Sequence, residues 1–195
     1  MATTLQTPLT LIREEIDGKL YYYKGYKEVL SGEKQSEDIM GSSDLQSYLI
    51  ALILRRLFTL LPETEYLIQT GEPGLNLGPN DNLANDITIR RTKDSSIDSH
   101  STYYSNKPPI VVLEIDVRVD TNNTSDLDYV LTKTGKLLSF GVGQVVWILT
   151  ASRRIVVASQ ANPSLTPYEW KQDIVLLDNC VMNLENWVGQ GAFRV

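Results

Sequence analysis

Residues 108 to 120, PPIVVLEIDVRVD, restrict the fold more than any other stretch of the chain. Side chains alternate across a β-sheet, so Val111, Leu113, Ile115, Val117 and Val119 share one face, and Ile110, Val112, Glu114, Asp116 and Arg118 the other. The first face is hydrocarbon throughout. The second begins apolar and turns charged halfway along, so the strand is expected to start inside a core and to emerge with its carboxylates near its C-terminal end. Open α/β sheets place ligands at that end, which makes Glu114 and Asp116 the first place to look for a site.

A helix and a second buried strand follow. In TNNTSDLDYVLTKTGKLLSFGV the apolar positions Leu127, Val130, Leu131, Leu137 and Leu138 keep helical spacing between a Thr or Ser cap and a stop at Gly141. VVWILT (145 to 150) is a nearly uninterrupted apolar run, as in central strands buried on both faces, and strand, helix, strand predicts a right-handed βαβ crossover. Upstream, GSSDLQSYLIALILRRLFTLLPE is a helix capped by Ser42 or Ser43 and stopped by Pro62, with Leu49, Ile50, Ile53, Leu54, Leu57 and Leu60 on a wide apolar face. GKLYYYKGY (18 to 26) alternates like a strand or hairpin. EYLIQT, GLNLG, NDITIRR (85 to 91), RRIVVAS and DIVLLD read as further strands, NLENWVG as a short closing helix, and the polar segment 92 to 107 as a loop. The expected fold is α/β, a mixed central sheet with helices on both sides, in one domain over residues 1–195 with a loose N-terminal segment over about residues 1–10.

Composition narrows the function classes. A chain of 195 residues with 42% hydrophobic content can bury one sizeable core. Cys180 is alone, which excludes an internal disulfide framework and a CxxC metal pair and suits a reducing, cytoplasmic setting. No run approaches the roughly eighteen apolar residues of a membrane span, and the N-terminus lacks a basic region leading into a long apolar stretch, so neither membrane nor secretion is expected. The net charge of -6 argues against a protein that coats nucleic acid, because phosphate neutralisation needs clustered Lys and Arg. It is compatible with an enzyme whose carboxylates hold a divalent metal beside a local basic patch such as Arg90-Arg91 or Arg153-Arg154, and equally with plain solubility.

Asp86 opens one strand and Glu114 sits in the next long one; paired in a sheet, the two carboxylates can converge on a single hard cation, which takes oxygen ligands and keeps several waters. On the helix that follows, Lys133 lies roughly 100° and Lys136 roughly 160° from the centre of the apolar stripe. Lys133 therefore borders the buried face and can bend toward a site, or simply snorkel past the core, while Lys136 faces water.

NLANDITI, PPIVVLEID and KTGKLLSFGVGQVVWI, in this order and spacing, resemble the Uma-type restriction-endonuclease-like family, a group within the PD-(D/E)xK nuclease fold. The resemblance runs from EEIDGKLYYYKGY through GSSDLQ to VVWILT and on toward the end of the chain. It implies a restriction-endonuclease-like core in which Asp86 is the PD aspartate, preceded by Asn85 instead of proline, and Glu114 is the acid of the (D/E)xK half. The wider fold carries its lysine two residues after that acid, where this chain has Asp116; the resemblance moves the lysine to the helix, at Lys133, with Arg118 the other basic group able to substitute. Asp116 would then be a third metal ligand, or would pair with Arg118 or Lys133 in a site without catalysis. Glu15 in EEIDG matches a recurrent N-terminal acid and would be an outer ligand. The function implied is a DNA endonuclease, a homodimer, dependent on Mg²⁺ or Mn²⁺ held by Asp86, Glu114 and Asp116, with Lys133 orienting or activating water. The alternative is a non-catalytic relative that keeps the fold as a binding or dimerisation module.

Other signals are weaker. His100 is the only histidine, in a polar loop, and excludes a His-rich zinc site. GEPGLNLG lacks the spacing of phosphate-cradling glycine loops and reads as hairpin chemistry. The tyrosines of LYYYKGY and STYYSNK can stack on bases or merely cover a sheet.

Overall fold

The structure is a computed structural model and describes residues 8–78, 81–94, 102–116, 124–177 and 179–190. Most of the expected loose N-terminal segment lies outside these residues, but Leu9–Leu11 already forms a 3-10 turn that buries Leu11. Strands β1 (Ile12–Ile16) and β2 (Lys19–Tyr22) form a hairpin, and short helices α1 (Tyr26–Leu30) and α2 (Glu37–Met40) lead into α3 (Asp44–Leu60). Ser43 caps α3 by accepting the Gln46 N–H at 3.2 Å, and Pro62 follows its end.

The sheet is built from β3 (Tyr66–Thr70), β6 (Ile87–Arg91), β7 (Val111–Asp116), β8 (Gln144–Leu149), β9 (Arg154–Ser159) and β10 (Thr166–Glu169). A small hairpin of β4 (Gly74–Gly78) and β5 (Asp81–Ala84) intervenes before β6, and α4 (Thr124–Phe140) connects β7 to β8. The order is β10-β9-β8-β7-β6-β3. β7 and β8 run parallel, with Glu114 beside Trp147, and the other neighbours run antiparallel, which gives the mixed sheet expected from the sequence. β11 (Ile174–Leu177), β12 (Cys180–Met182) and α5 (Leu184–Gly189) complete the described chain.

The parity of β7 assigns the layers. Leu113 and Ile115 pack with Leu49, Ile53 and Leu57 of α3, while Val112 packs with Val130 and Leu137 of α4 and with Ile16 of the first hairpin. Each fully buried Leu or Ile contributes roughly 1.5–3 kcal/mol of transfer free energy, so both layers are held firmly. Glu114 shares its parity with Val112 and so belongs to the α4 side.

The buried face of α4 is not the one its leucines suggest. Leu127 and Leu131 are exposed, and the helix instead buries Tyr129, Val130, Lys133, Thr134, Leu137 and Leu138. Lys133, expected on the border of the stripe, lies inside it because the β1–β2 hairpin covers that side of the helix and brings Glu14 against it. Lys136 is also less free than expected: it pairs with Asp17 and, at 2.8 Å, with Asp81.

α4 ends in two bonds characteristic of a glycine stop, Val142 N–H to Leu137 O and Gly141 N–H to Leu138 O, each 3.0 Å, with Gly141 at φ 110°. Gly143 then passes so close to β7 that a Cβ there would sit 2.7 Å from the Ile110 carbonyl oxygen. That close passage is what lets β8 enter the sheet directly beside β7. Among the described residues no helix is long and apolar enough to cross a membrane.

Candidate active site

β6 and β7 pair antiparallel with Ile87 opposite Leu113, so one further step along the ladder sets Asp86 opposite Glu114. β6 ends at that point, and the next ladder N–H, from Ile115, donates to Asp86 Oδ2 at 2.7 Å. The aspartate thus replaces a backbone acceptor, which fixes its carboxylate at the end of the sheet. Glu114 and Asp116 share one face of β7 and are 3% and 4% exposed. Asp86, Glu114, Asp116 and Lys133 line one cavity of about 160 Å³, which Glu72 and Gln46 also line.

Lys133 is 1% exposed and has its three hydrogens occupied. Its Nζ donates to Glu14 Oε1 at 2.9 Å, to the Ala84 carbonyl at 2.6 Å and to the Tyr129 hydroxyl at 3.3 Å. Tyr129 in turn donates to Glu14 Oε2 at 2.8 Å, and the Ala84 N–H donates to Glu14 Oε1 at 3.2 Å, so Glu14 is held from three sides. Glu114 Oε1 is 3.1 Å from Lys133 Nζ, an ion-pair distance, yet it accepts no hydrogen bond. Arg13 Nη1 pairs with Asp116 Oδ2 at 2.9 Å and stacks over the Tyr129 ring at 4.8 Å.

Burial dominates the proton affinities. It pushes the Glu114 carboxyl up to about 8, against the pull of Lys133 and with help from the neighbouring Asp86 and Glu14 charges. Asp86 moves up for the same reason, restrained by the Ile115 N–H and by Lys133. Burial also opposes the charge on Lys133, but Glu114, Glu14 and Tyr129 outweigh it and hold the ammonium well above its usual range. Lys133 is therefore a fixed cation at neutral pH.

Among the described residues, four carboxylates, Glu14, Asp86, Glu114 and Asp116, meet two cations, Lys133 and Arg13, an excess of two negative charges within this set when all are ionised. A buried excess of this size is costly without a counterion. Oxygen donors, a buried carboxylate oxygen without a hydrogen bond and a double negative excess fit a hard divalent cation. Among the described residues no three His, Cys, Asp or Glu side chains cluster tightly enough to hold a metal by themselves. Asp86 and Glu114 with bound waters would be the complement, as Mg²⁺ commonly requires.

The structure thus brings together Asp86, Glu114, Asp116 and Lys133. Glu15 is exposed on the other side of β1, and Glu14 takes the inward place. A bulge in the β1–β2 pairing, where Ile12 and Glu14 face the adjacent residues Tyr22 and Tyr21, leaves Arg13 as the extra residue and turns both Arg13 and Glu14 toward the site. Parity counted from Ile16 would have selected Glu14, whereas nothing in the sequence marks Arg13. Tyr129 was also missed, as an aromatic on a helix otherwise read by its leucines. Arg118 and His100 lie outside the described residues; among the described residues Asp116 pairs with Arg13.

No family model matches the sequence, and no curated protein matches it. Among solved structures, the chain is similar to a protein of Anabaena variabilis described as "a putative nuclease belonging to DUF820", with a TM-score of 0.59 and 13% identity over 89% of each chain. A likeness at this identity establishes a shared fold, a mixed sheet flanked by helices. It bears on the fold and not on the Uma-type family in particular.

Proposed function

We propose that the protein is a divalent-metal-dependent endonuclease that hydrolyses phosphodiester bonds of DNA. The observation that carries this reading is the cluster of four carboxylates around Lys133 and Arg13, three of them buried and Asp86 partly exposed, with Glu114 Oε1 left without a hydrogen bond. Asp86 and Glu114 would hold Mg²⁺ or Mn²⁺, with Asp116 accessory. When bound, the ion supplies Lewis-acid polarisation of the phosphate and a more acidic water. The chain's own residues position and stabilise. The Ile115 N–H orients Asp86, and Glu14, Ala84 and Tyr129 fix Lys133 at the cavity wall. Held charged, Lys133 is unsuited to take a proton from water; its role is a fixed positive charge beside the attacked phosphate, where negative charge grows in the transition state. Arg13 holds Asp116 in place.

The test is Mn²⁺ binding by calorimetry on wild type and Asp86→Ala, with plasmid cleavage in the same buffer. Binding and cleavage by wild type, both lost in the variant, are expected. A second reading, a non-catalytic relative serving as a binding or dimerisation module, is favoured by the Arg13–Asp116 pair and by the lack of a three-donor cluster among the described residues. Absence of Mn²⁺ binding to wild type would select it.

A further inference from the structure

A second cavity of about 460 Å³ adjoins the carboxylate cavity, and Arg13, Tyr23, Lys24 and Asp116 line both. The segment LYYYKGY builds one wall. Gly25 at φ 93° adopts a left-handed turn that other residues enter only with strain, and the Tyr26 N–H donates to the Tyr23 carbonyl at 3.1 Å. That reversal stacks the Tyr22 and Tyr26 rings at 4.6 Å with 20° between their planes. Asp126, Asp128 and Tyr129 of α4 also line the cleft, and the largely buried Tyr129 ring packs against Tyr21 with centroids 5.1 Å apart.

Charges around this cleft are largely matched within the protein. Lys19 pairs with Asp128, Lys24 with Asp126 at 3.9 Å and Arg13 with Asp116 at 2.9 Å. A wall of aromatic faces with internally balanced charges exerts little pull on a polyanionic duplex. It suits a flat, uncharged ring with polar edges, and the cleft has the size of a ligand pocket. Of the adjoining carboxylates Glu114 and Asp116 are almost wholly buried and Asp86 is partly exposed, and a phosphodiester in an unpaired strand reaches such groups more readily than one held in a continuous double helix.

We propose that this cleft is a nucleobase subsite, which seats an unpaired base next to the phosphodiester taken by the carboxylate cavity. The substrate class is then single-stranded or locally unpaired nucleic acid. This inference rests on the nuclease reading above and adds to it the form of the substrate. Stacking on tyrosine tolerates any base, so the subsite selects for an unpaired base and not for a sequence.

The test is fluorescence anisotropy in EDTA with a short labelled DNA strand, the same strand carrying abasic sites, an RNA strand of the same sequence and the matching duplex. Wild type should bind the single strands about tenfold or more tightly than the duplex, and Tyr26→Leu should weaken that binding roughly 5- to 100-fold with an unchanged melting temperature. Tyr26→Phe should retain it. Preference for either the DNA or the RNA strand supports the subsite and identifies the sugar. Equal binding of abasic and normal strands, or of duplex and single strand, would overturn it; both are read on wild type, so a variant that fails to fold does not blunt the test. Cleavage of the same strands in Mn²⁺ separates the two readings. Cleavage with base-blind binding overturns the subsite and leaves the nuclease, whereas base-dependent binding without cleavage supports the subsite and overturns the nuclease.

Discussion

Replacing Glu114 by Gln isolates the proton held in the buried site. The Glu114 carboxyl titrates at about 8 in the folded protein against an ordinary 4.5, because burial penalises its charge. Between those values the folded chain carries a proton that the unfolded chain has released, so the stability of the metal-free protein falls as pH rises through this window. The slope approaches about 1.4 kcal/mol per pH unit, which makes the loss on the order of 2–3 kcal/mol between pH 5.5 and 7.5. Gln occupies nearly the same volume and carries no titrating proton. Asp86 is shifted in the same direction but remains in both proteins, so the difference between them reads Glu114. Urea denaturation at the two pH values in EDTA should show wild type losing about 2–3 kcal/mol more than Glu114→Gln. Mn²⁺ should restore wild type at pH 7.5 and leave the variant unchanged, since cation and proton compete for the same oxygens. Parallel pH profiles would mean that Glu114 is ionised throughout the window, and the charge-balance reasoning would then be wrong.

Lys133→Met would leave Glu14 and Glu114 buried without their shared cation; a loss of about 3–5 kcal/mol is expected in urea at pH 7.5. Glu14→Gln should cost about 1.5–3 kcal/mol and reduce cleavage by disturbing Lys133, whereas Glu15→Gln, on the exposed side of β1, should stay within about 0.5 kcal/mol and cleave normally. Gly143→Ala should lower stability by roughly 1–3 kcal/mol because its Cβ would meet the Ile110 carbonyl at 2.7 Å. Gly135→Ala, mid-helix with nothing within 4 Å of the added methyl, should raise stability by about 0.5–1 kcal/mol, so thermal melts of the two variants move in opposite directions.

Where a local pattern decides the structure, the sequence could be read directly. The period of two in PPIVVLEID separates the hydrocarbon face that meets α3 from the mixed face that meets α4, and the glycine stop of α4 follows from SFGVG. The convergence of Asp86 with Glu114 needs only that their two strands be neighbours. The buried face of α4 was not legible, for a physical reason. A periodicity argument counts lysine as polar, so it cannot find a stripe centred on Lys133, whose burial depends on Glu14, 119 residues away. Nor does strand alternation announce the bulge that turns Arg13 and Glu14 to the same side.

These failures share one cause, since each involves a charge that is tolerable in the core only after the first hairpin has docked. Without β1, Lys133 would face Glu114 and Asp86 with no Glu14 to hold its hydrogens, and Asp116 would lose Arg13. Burying these groups singly costs several kcal/mol each, while closing them together leaves, among the described residues, a net charge that one divalent ion can cancel. The hairpin and the sheet end therefore form one electrostatic unit, so disruption of the β1–β2 bulge should weaken metal binding even with Asp86 and Glu114 intact.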